Sequence, residues 1–247
     1  MKRWWAVPLL AGMMLTGPVL AQTPAPVASV EKETIKALIR EVLRDQPELV
    51  LEALQTLETR EQAAQEQRTA DALSTSRDKL ERDPGDVVDG NPKGNVTVVE
   101  FADHRCGYCK SVAAHVAEVV KADGNVRLVH KQFPILGPQS VQAARATLAA
   151  MKQGKGLELH KALMESRGSF DDAMILETAR KLGIDTTKLT TDMKAPEVLA
   201  QLQRTMELGR SLGIKGTPAF IIGDTLLPGA VDADTLRGVI AEARKKG

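Results

Sequence analysis

Only two cysteines occur in the chain, and they stand together as Cys106-Gly107-Tyr108-Cys109, directly after the apolar stretch from Val96 to Phe101. Helix-forming sequence follows, from Lys110 to Val116. A strand that runs into C-x-x-C and then into a helix places the first sulfur at the helix N-terminus. Unpaired backbone N–H groups and the positive end of the macrodipole stabilise a thiolate there. The thiolate is the species that attacks disulfides, so the motif reads as a redox centre. The rival readings are a metal site and an inert buried pair. A structural zinc site needs four ligands, and the chain has neither a second C-x-x-C nor a closely spaced pair among His104, His115, His130 and His160. The strand-to-helix setting argues against inert cysteines. No cofactor and no resident metal are expected.

The first residues carry a second signal. Lys2 and Arg3 precede an apolar run from Trp4 to Leu20 that is broken by Pro8, Gly12, Gly17 and Pro18 and closes on small residues up to Ala21. This is the pattern of a secretory signal peptide cleaved after Ala21, and it predicts a periplasmic protein. A retained membrane anchor fits less well, because the run is short and carries helix breakers. In an oxidising compartment spare cysteines tend to be paired. With none outside the motif, its two sulfurs are the only redox chemistry open to the chain. The formal net charge of +1 gives no reason to expect nucleic acid or an anionic membrane surface as partner.

Past a Pro- and Ala-rich stretch from Gln22 to Ser29, Ile35, Leu38, Ile39, Val42 and Leu43 recur at helical spacing. Asp45-Gln46-Pro47 interrupts that pattern and restarts it, since proline fits the first turn of a new helix but not the interior of an old one. The second helix carries Leu49, Val50, Ala53, Leu54 and Leu57. From there to Asp83 the chain is strongly polar, a composition that suits a solvated helix and cannot build a core by itself. Two apolar stripes ahead of a polar connector predict self-association. Packing on the same subunit and a partly disordered extension are the alternatives.

Turn signals at Asp83-Pro84-Gly85 and Asn91-Pro92-Lys93-Gly94 bracket the start of a compact domain. Val96–Phe101, a helix over Ser111–Ala122 and Val126–Gln132 form a β-α-β unit with a parallel strand pair. From Gln139 to about Leu212 only helical patterns occur, at Val141–Met151, Leu157–Glu165, Asp172–Leu182 and Val198–Leu212. Gly216-Thr217-Pro218 then leads into Ala219–Ile222, a short strand Thr225–Leu227 and a last helix over Asp232–Arg244. The expected fold is α/β, a small mixed sheet whose two halves are separated by a helical insertion. The predicted domains are a signal peptide at 1–21, a helical oligomerisation region with linker at 22–84 and a catalytic domain at 85–247 with the insertion at about 139–212.

Three separated segments, VVEFADHRCGYC, KQFPILGPQS and GIKGTPAFIIG with PGAVD behind it, resemble in composition and order the thioredoxin-fold disulfide oxidoreductases of the DsbA type. Within that group the chain is most similar to the ScsC-like (suppressor of copper sensitivity C) proteins, whose N-terminal extension oligomerises. The resemblance implies that Cys106 is the nucleophile and Cys109 the resolving cysteine, with Gly107 and Tyr108 tuning their potential. It implies that Thr217 and Pro218 form the loop facing the site, with a cis proline and a residue before it that contacts bound peptide backbone. Glu100 matches the family's buried acid beneath the motif, a proton relay for Cys109; a surface strand residue is the plain alternative. Lys131 is a candidate partner for Glu100. His104 is a candidate for stabilising the thiolate or for holding a soft metal with the two sulfurs, against the plain reading of a lone histidine.

Two departures from DsbA look more like the periplasmic disulfide isomerases: Gly-Tyr within the motif where DsbA has Pro-His, and Thr217 before the proline where DsbA has a bulkier aliphatic residue. The resulting expectation is an isomerase or reductase of misoxidised proteins. Its partners are protein substrates with disulfides or thiols, a membrane redox partner that recharges the site, and other copies of the chain, a trimer by likeness to ScsC. A monomeric DsbA-like oxidase, or a copper-binding protein using the same cysteines, are the alternatives.

Overall fold

The computed structural model describes residues 32–246. The expected signal peptide and the Pro- and Ala-rich stretch behind it lie outside the described residues. The chain divides into two compact units, with the boundary between Glu58 and Thr59.

In the first unit α1 (Lys32–Asp45) stops just before Pro47, and α2 (Glu48–Thr75) begins just after it. Backbone bonds from Gln46 N to Val42 O and from Val50 N to Pro47 O carry the chain across the break. Proline is accepted there because a helix start has no acceptor for the missing N–H. The apolar stripes form as the spacing predicts, but they are not covered. Ile35, Leu38, Ile39, Val42 and Leu43 are all exposed, as are Leu49, Val50, Leu54 and Leu57.

In the second unit the end of α2 and a short helix, α3 (Arg77–Glu81), precede β1 (Val87–Gly90), β2 (Val96–Ala102), α4 (Gly107–Asp123) and β3 (Val126–Gln132). Five helices follow: α5 (Pro138–Met151), α6 (Gly156–Glu165), α7 (Asp172–Lys181), α8 (Thr186–Asp192) and α9 (Pro196–Ser211). β4 (Ala219–Ile222), β5 (Thr225–Pro228) and α10 (Ala233–Lys246) complete it. The strands form one sheet in the order β1-β3-β2-β4-β5. β2 and β3 are the expected parallel pair, with Glu100 opposite His130, and the other pairings are antiparallel.

Residues alternate between the faces of β2, as a pleated strand requires. Val98 packs with Val112, Val116 and Val120 of α4 and with Leu236 and Ile240 of α10. Val99 and Phe101 face Leu208, Leu212, Leu73 and Leu80 on the opposite side. Glu100 shares the parity of Val98, so its side chain lies on the α4 face. The inserted helices have their own core around the alanines of α5, where Ala143, Ala146 and Ala150 let Leu159, Leu163, Ile175 and Leu189 approach closely.

Three features escaped the sequence reading. β1 has only four residues between two turn signals, too few for a period to register. Its last residue, Gly90, has φ +69°, and a Cβ there would meet a Val120 methyl and the Val126 carbonyl at 2.6 Å. α8 buries a single large aliphatic side chain, Leu189, and is started by Asp185, whose carboxylate accepts the N–H groups of Thr187 and Lys188. The polar connector also contributes to a core: Leu73 and Leu80 are 1% and 3% exposed.

Lys131 does not pair with Glu100. Its ammonium donates to the Asp86 carboxylate and to the carbonyl of Lys79, and both members of the ion pair are fully buried. Neighbouring strand residues point to opposite faces, which carries Lys131 away from Glu100. Burial pushes the Asp86 carboxyl up to about 6 against the opposing pull of Lys131. Gln201 of α9 donates to its other oxygen at 3.3 Å. Among the described residues no helix is long and apolar enough to cross a membrane.

Candidate active site

The turn between β2 and α4 is built by Asp103. Its carboxylate accepts the N–H of Arg105 at 2.8 Å through one oxygen and the N–H groups of Ile135 and Leu136 at 2.9 and 3.0 Å through the other. Its carbonyl accepts the N–H of Cys106 at 3.0 Å. One buried aspartate thus ties the segment before the motif to the loop after β3. The sequence reading did not single it out, although an Asx turn three residues ahead of a motif is a legible signal.

Cys106 is the N-cap of α4, and its sulfur accepts the Cys109 N–H at 3.5 Å. Its thiol donates to the carbonyl of Thr217 at 3.2 Å, and the Thr217–Pro218 peptide is cis. Residues more than a hundred positions apart therefore meet at one sulfur. Cys106 is 6% exposed and Cys109 0%, whereas Tyr108 between them is 71% exposed. Burial pushes the Cys109 thiol well above the ordinary thiol range, and negative charge at Cys106 and Glu100 adds to the effect. Ala102 and Met164 complete the apolar cluster around the sulfurs.

Lys110, next to the motif, turns back toward the insertion. Its ammonium donates to the carbonyls of Leu163, Met164 and Ser166 at 2.7 to 3.0 Å, and it lies 4.7 Å from the centre of the Phe170 ring. Cations interact favourably with the open carbonyls at a helix C-terminus, here that of α6. Burial nevertheless pulls the Lys110 ammonium down to about 8. A hollow of about 470 Å³ opens beside it, lined by Arg105, Gly107, Ser111, Arg167 and Phe170.

Glu100 is buried. Its Oε2 lies 2.9 Å from His130 Nδ1, and the His130 ring stacks on that of His160 with centroids 4.2 Å apart. His160 Nδ1 is 3.2 Å from His104 Nε2, which also lies within 3.4 Å of the Thr147 hydroxyl. Burial holds His104 down at about 3, and His160 well below its ordinary value. The partners of the His104 ring nitrogen Nε2 are thus His160 and Thr147. Among the described residues no cluster of three or more His, Cys, Asp or Glu side chains has the arrangement of a metal site.

The profile of the DSBA-like thioredoxin domain matches residues 97–241, which covers the motif, the cis-proline loop and the insertion between them. The chain belongs to this DsbA-like family. It is similar to a thioredoxin-like oxidoreductase from Silicibacter pomeroyi DSS-3, at 48% identity over 68% of this chain and 98% of that one, with a TM-score of 0.67. It is also similar to a linker-deletion mutant of ScsC from Proteus mirabilis, at 30% identity over 91% of this chain and 100% of that one, with a TM-score of 0.68. Among curated sequences it matches the Na(+)/H(+) antiporter NhaA 3 of Salinispora tropica at 26% identity, over 64% of this chain. The match spans about a quarter (24%) of that relative's length.

For a DsbA-like chain the site residues read from sequence fall in two groups. Cys106, Cys109, Thr217 and Pro218 meet at the N-terminus of α4. Glu100 lies in the sheet and bonds to His130, a partner that the sequence reading left unassigned.

Proposed function

We propose that this DsbA-like protein is an exported thiol–disulfide oxidoreductase that acts on misoxidised proteins, as an isomerase or reductase rather than as a primary oxidase. The observation that carries the reading is the asymmetry of the two sulfurs. Cys106 caps a helix beside the Thr217 carbonyl, while Cys109 is wholly buried with its thiol held protonated. Cys106 as thiolate attacks a substrate disulfide and forms a mixed disulfide, expelling one substrate sulfur as thiolate. If that thiolate returns to a different bond, the pairing is reshuffled. If Cys109 gives up its proton and attacks Cys106, the substrate leaves reduced and the protein oxidised. Glu100 takes the Cys109 proton, and Thr217 with Pro218 aligns the substrate backbone.

Residues 1–21 are assigned as signal peptide, 22–84 as oligomerisation region with linker, and 85–247 as catalytic domain, in a periplasmic protein recharged by a membrane redox partner. The exposed stripes of α1 and α2 support self-association, with a trimer favoured by the similarity to ScsC. Gly107-Tyr108 and Thr217 support isomerisation over oxidation. We expect Cys106→Ala to abolish disulfide exchange and Cys109→Ala to accumulate mixed disulfides, both read by alkylation and mass spectrometry, and the unsubstituted protein to reactivate scrambled ribonuclease. Alkylation of Cys109 at lower pH than Cys106 would overturn the assignment of the sulfurs. Failure on scrambled ribonuclease combined with fast oxidation of reduced ribonuclease would replace the isomerase reading with an oxidase.

A further inference from the structure

Glu100 and His130 each carry one buried polar atom that meets no protein partner, Oε1 of the carboxylate and Nε2 of the imidazole. Buried polar groups of this kind are satisfied by ordered water where there is room for it. There is room: both residues line a cavity of about 230 Å³, against roughly 30 Å³ for one water in the liquid. His160, Lys110 and Met164 share its wall, and Asp89, Lys161 and Glu165 line it too. Lys161 and Asp89 pair there at 2.7 Å, with side chains 47% and 19% exposed, so this part of the wall reaches solvent. The cavity therefore connects the carboxylate that faces α4 with the outside, past His130.

We propose that His130 and the hydrated cavity are the route by which the proton of Cys109 leaves the protein. The inference rests on the reading of Glu100 as the group that takes this proton. When Cys109 Sγ attacks Cys106 Sγ of the mixed disulfide, a sulfur electron pair of Cys109 becomes the new S–S bond. The bond from Cys106 to the substrate sulfur breaks, and its electrons leave on the substrate thiolate. The Cys109 proton passes to Glu100. From there it moves to His130 Nδ1, 2.9 Å away, while Nε2 releases a proton to cavity water and so to bulk. Without an exit Glu100 would stay protonated and the next turnover would wait.

The groups facing His130 divide the work. Glu100 of β2 is the donor, and Asp89 of β1 lies toward solvent. His160 of α6 stacks on the ring, Lys161 and Glu165 of α6 line the way out, and Lys110 of α4 closes the inner wall. His104 contacts only the far side, through His160. The stack on His160 and the bond to Glu100 fix the His130 ring with one nitrogen toward the acid.

The test separates the two steps in the full-length protein. The probes are a disulfide-bonded reporter peptide, for the first attack by Cys106, and the isolated mixed disulfide with that peptide, for resolution by Cys109. Both are followed by stopped flow from pH 5 to 8. His130→Gln keeps an N–H toward Glu100 but cannot relay a proton. It is expected to slow resolution about tenfold more than it slows first attack, with the rate restored by imidazole added to the buffer. Glu100→Gln should also slow resolution, and the double variant should be no slower than Glu100→Gln alone. If Glu100→Gln slows resolution and His130→Gln does not, the exit is wrong and the relay stands. If Glu100→Gln leaves resolution untouched, the relay itself falls. Equal slowing of both steps by His130→Gln, or no rescue by imidazole, reduces His130 to a structural role. In the unsubstituted protein with 15N-labelled histidine, the His130 ring signals should differ between dithiol and disulfide forms. Unchanged signals would overturn the route without any variant having to fold.

Discussion

The two units of this chain handle apolar and charged side chains in opposite ways. In residues 32–58 every large aliphatic side chain on the stripes of α1 and the first part of α2 is exposed. In residues 59–246 burial extends to ionisable groups: Lys131 with Asp86 and Glu100 with His130 are enclosed and bonded. An amphipathic helix gains most of its stability from packing its apolar face, so the uncovered stripes are the observation behind the self-association proposed above. The comparison teaches that the same apolar periodicity is buried in a core in one region and left exposed in the other.

The contrast breaks most clearly at the buried ion pair. Removing one partner of such a pair leaves an uncompensated buried charge, so Lys131→Met should lower stability by about 3–5 kcal/mol at pH 7.5. The loss should shrink at pH 5, where Asp86, with its carboxyl near 6, takes up a proton. Urea unfolding at the two pH values measures it, and a loss of equal size at both would mean that Asp86 is not the group left behind.

A pair of leucines sharpens the comparison next. Leu159→Ala, at a site 0% exposed, should cost about 2–5 kcal/mol through the lost contacts and the cavity left behind. Leu54→Ala, at a site 52% exposed, should leave the unfolding of the catalytic unit within about 0.5 kcal/mol and instead reduce the oligomer mass seen by light scattering. If Leu54→Ala destabilises the catalytic unit as much as Leu159→Ala does, the stripe is not an intermolecular surface.

The last expected effect is a slope with pH. The folded state holds His104 down at about 3 and His160 well below its ordinary value, whereas both bind protons near 6.5 once unfolded. Between pH 6.5 and about 3 the unfolded chain therefore binds more protons. Stability that is complete above 6.5 is lost as pH falls, by up to about 1.4 kcal/mol per pH unit for each histidine. Asp86, raised to about 6, acts in the opposite sense between its ordinary value and 6. His104→Asn should flatten the acid limb of a pH series of urea midpoints; an unchanged limb would show that His104 is not held neutral.

Local signals were enough for part of the site. The C-x-x-C after an apolar strand placed Cys106 at a helix start, because caps depend on neighbours in sequence, whereas the Thr217-Pro218 loop was assigned to the site only through the resemblance to DsbA-type chains. Glu100 was reached through the same resemblance, as the match to the family's buried acid. Its partner was misjudged, because Lys131 and His130 are adjacent on β3 and only the register decides which of them shares a face with Glu100. The bonds of Asp103 to Ile135 and Leu136, of Lys110 to the end of α6 and of His104 to His160 were not foreseen, since each joins residues tens of positions apart.

The sequence by itself determined that this chain carries a C-x-x-C pair at a helix N-terminus, a small mixed sheet split by a helical insertion, and two apolar stripes ahead of a polar connector. These follow from spacing, capping and periodicity, which are properties of short segments. Tertiary structure alone decided that Cys109 is sealed while Cys106 meets Thr217, that Leu73 and Leu80 join the core, and that three histidines gather behind Glu100. Burial, charge pairing and cavity shape depend on which distant segments come to lie against one another, and the packing of the sheet against its helices sets that.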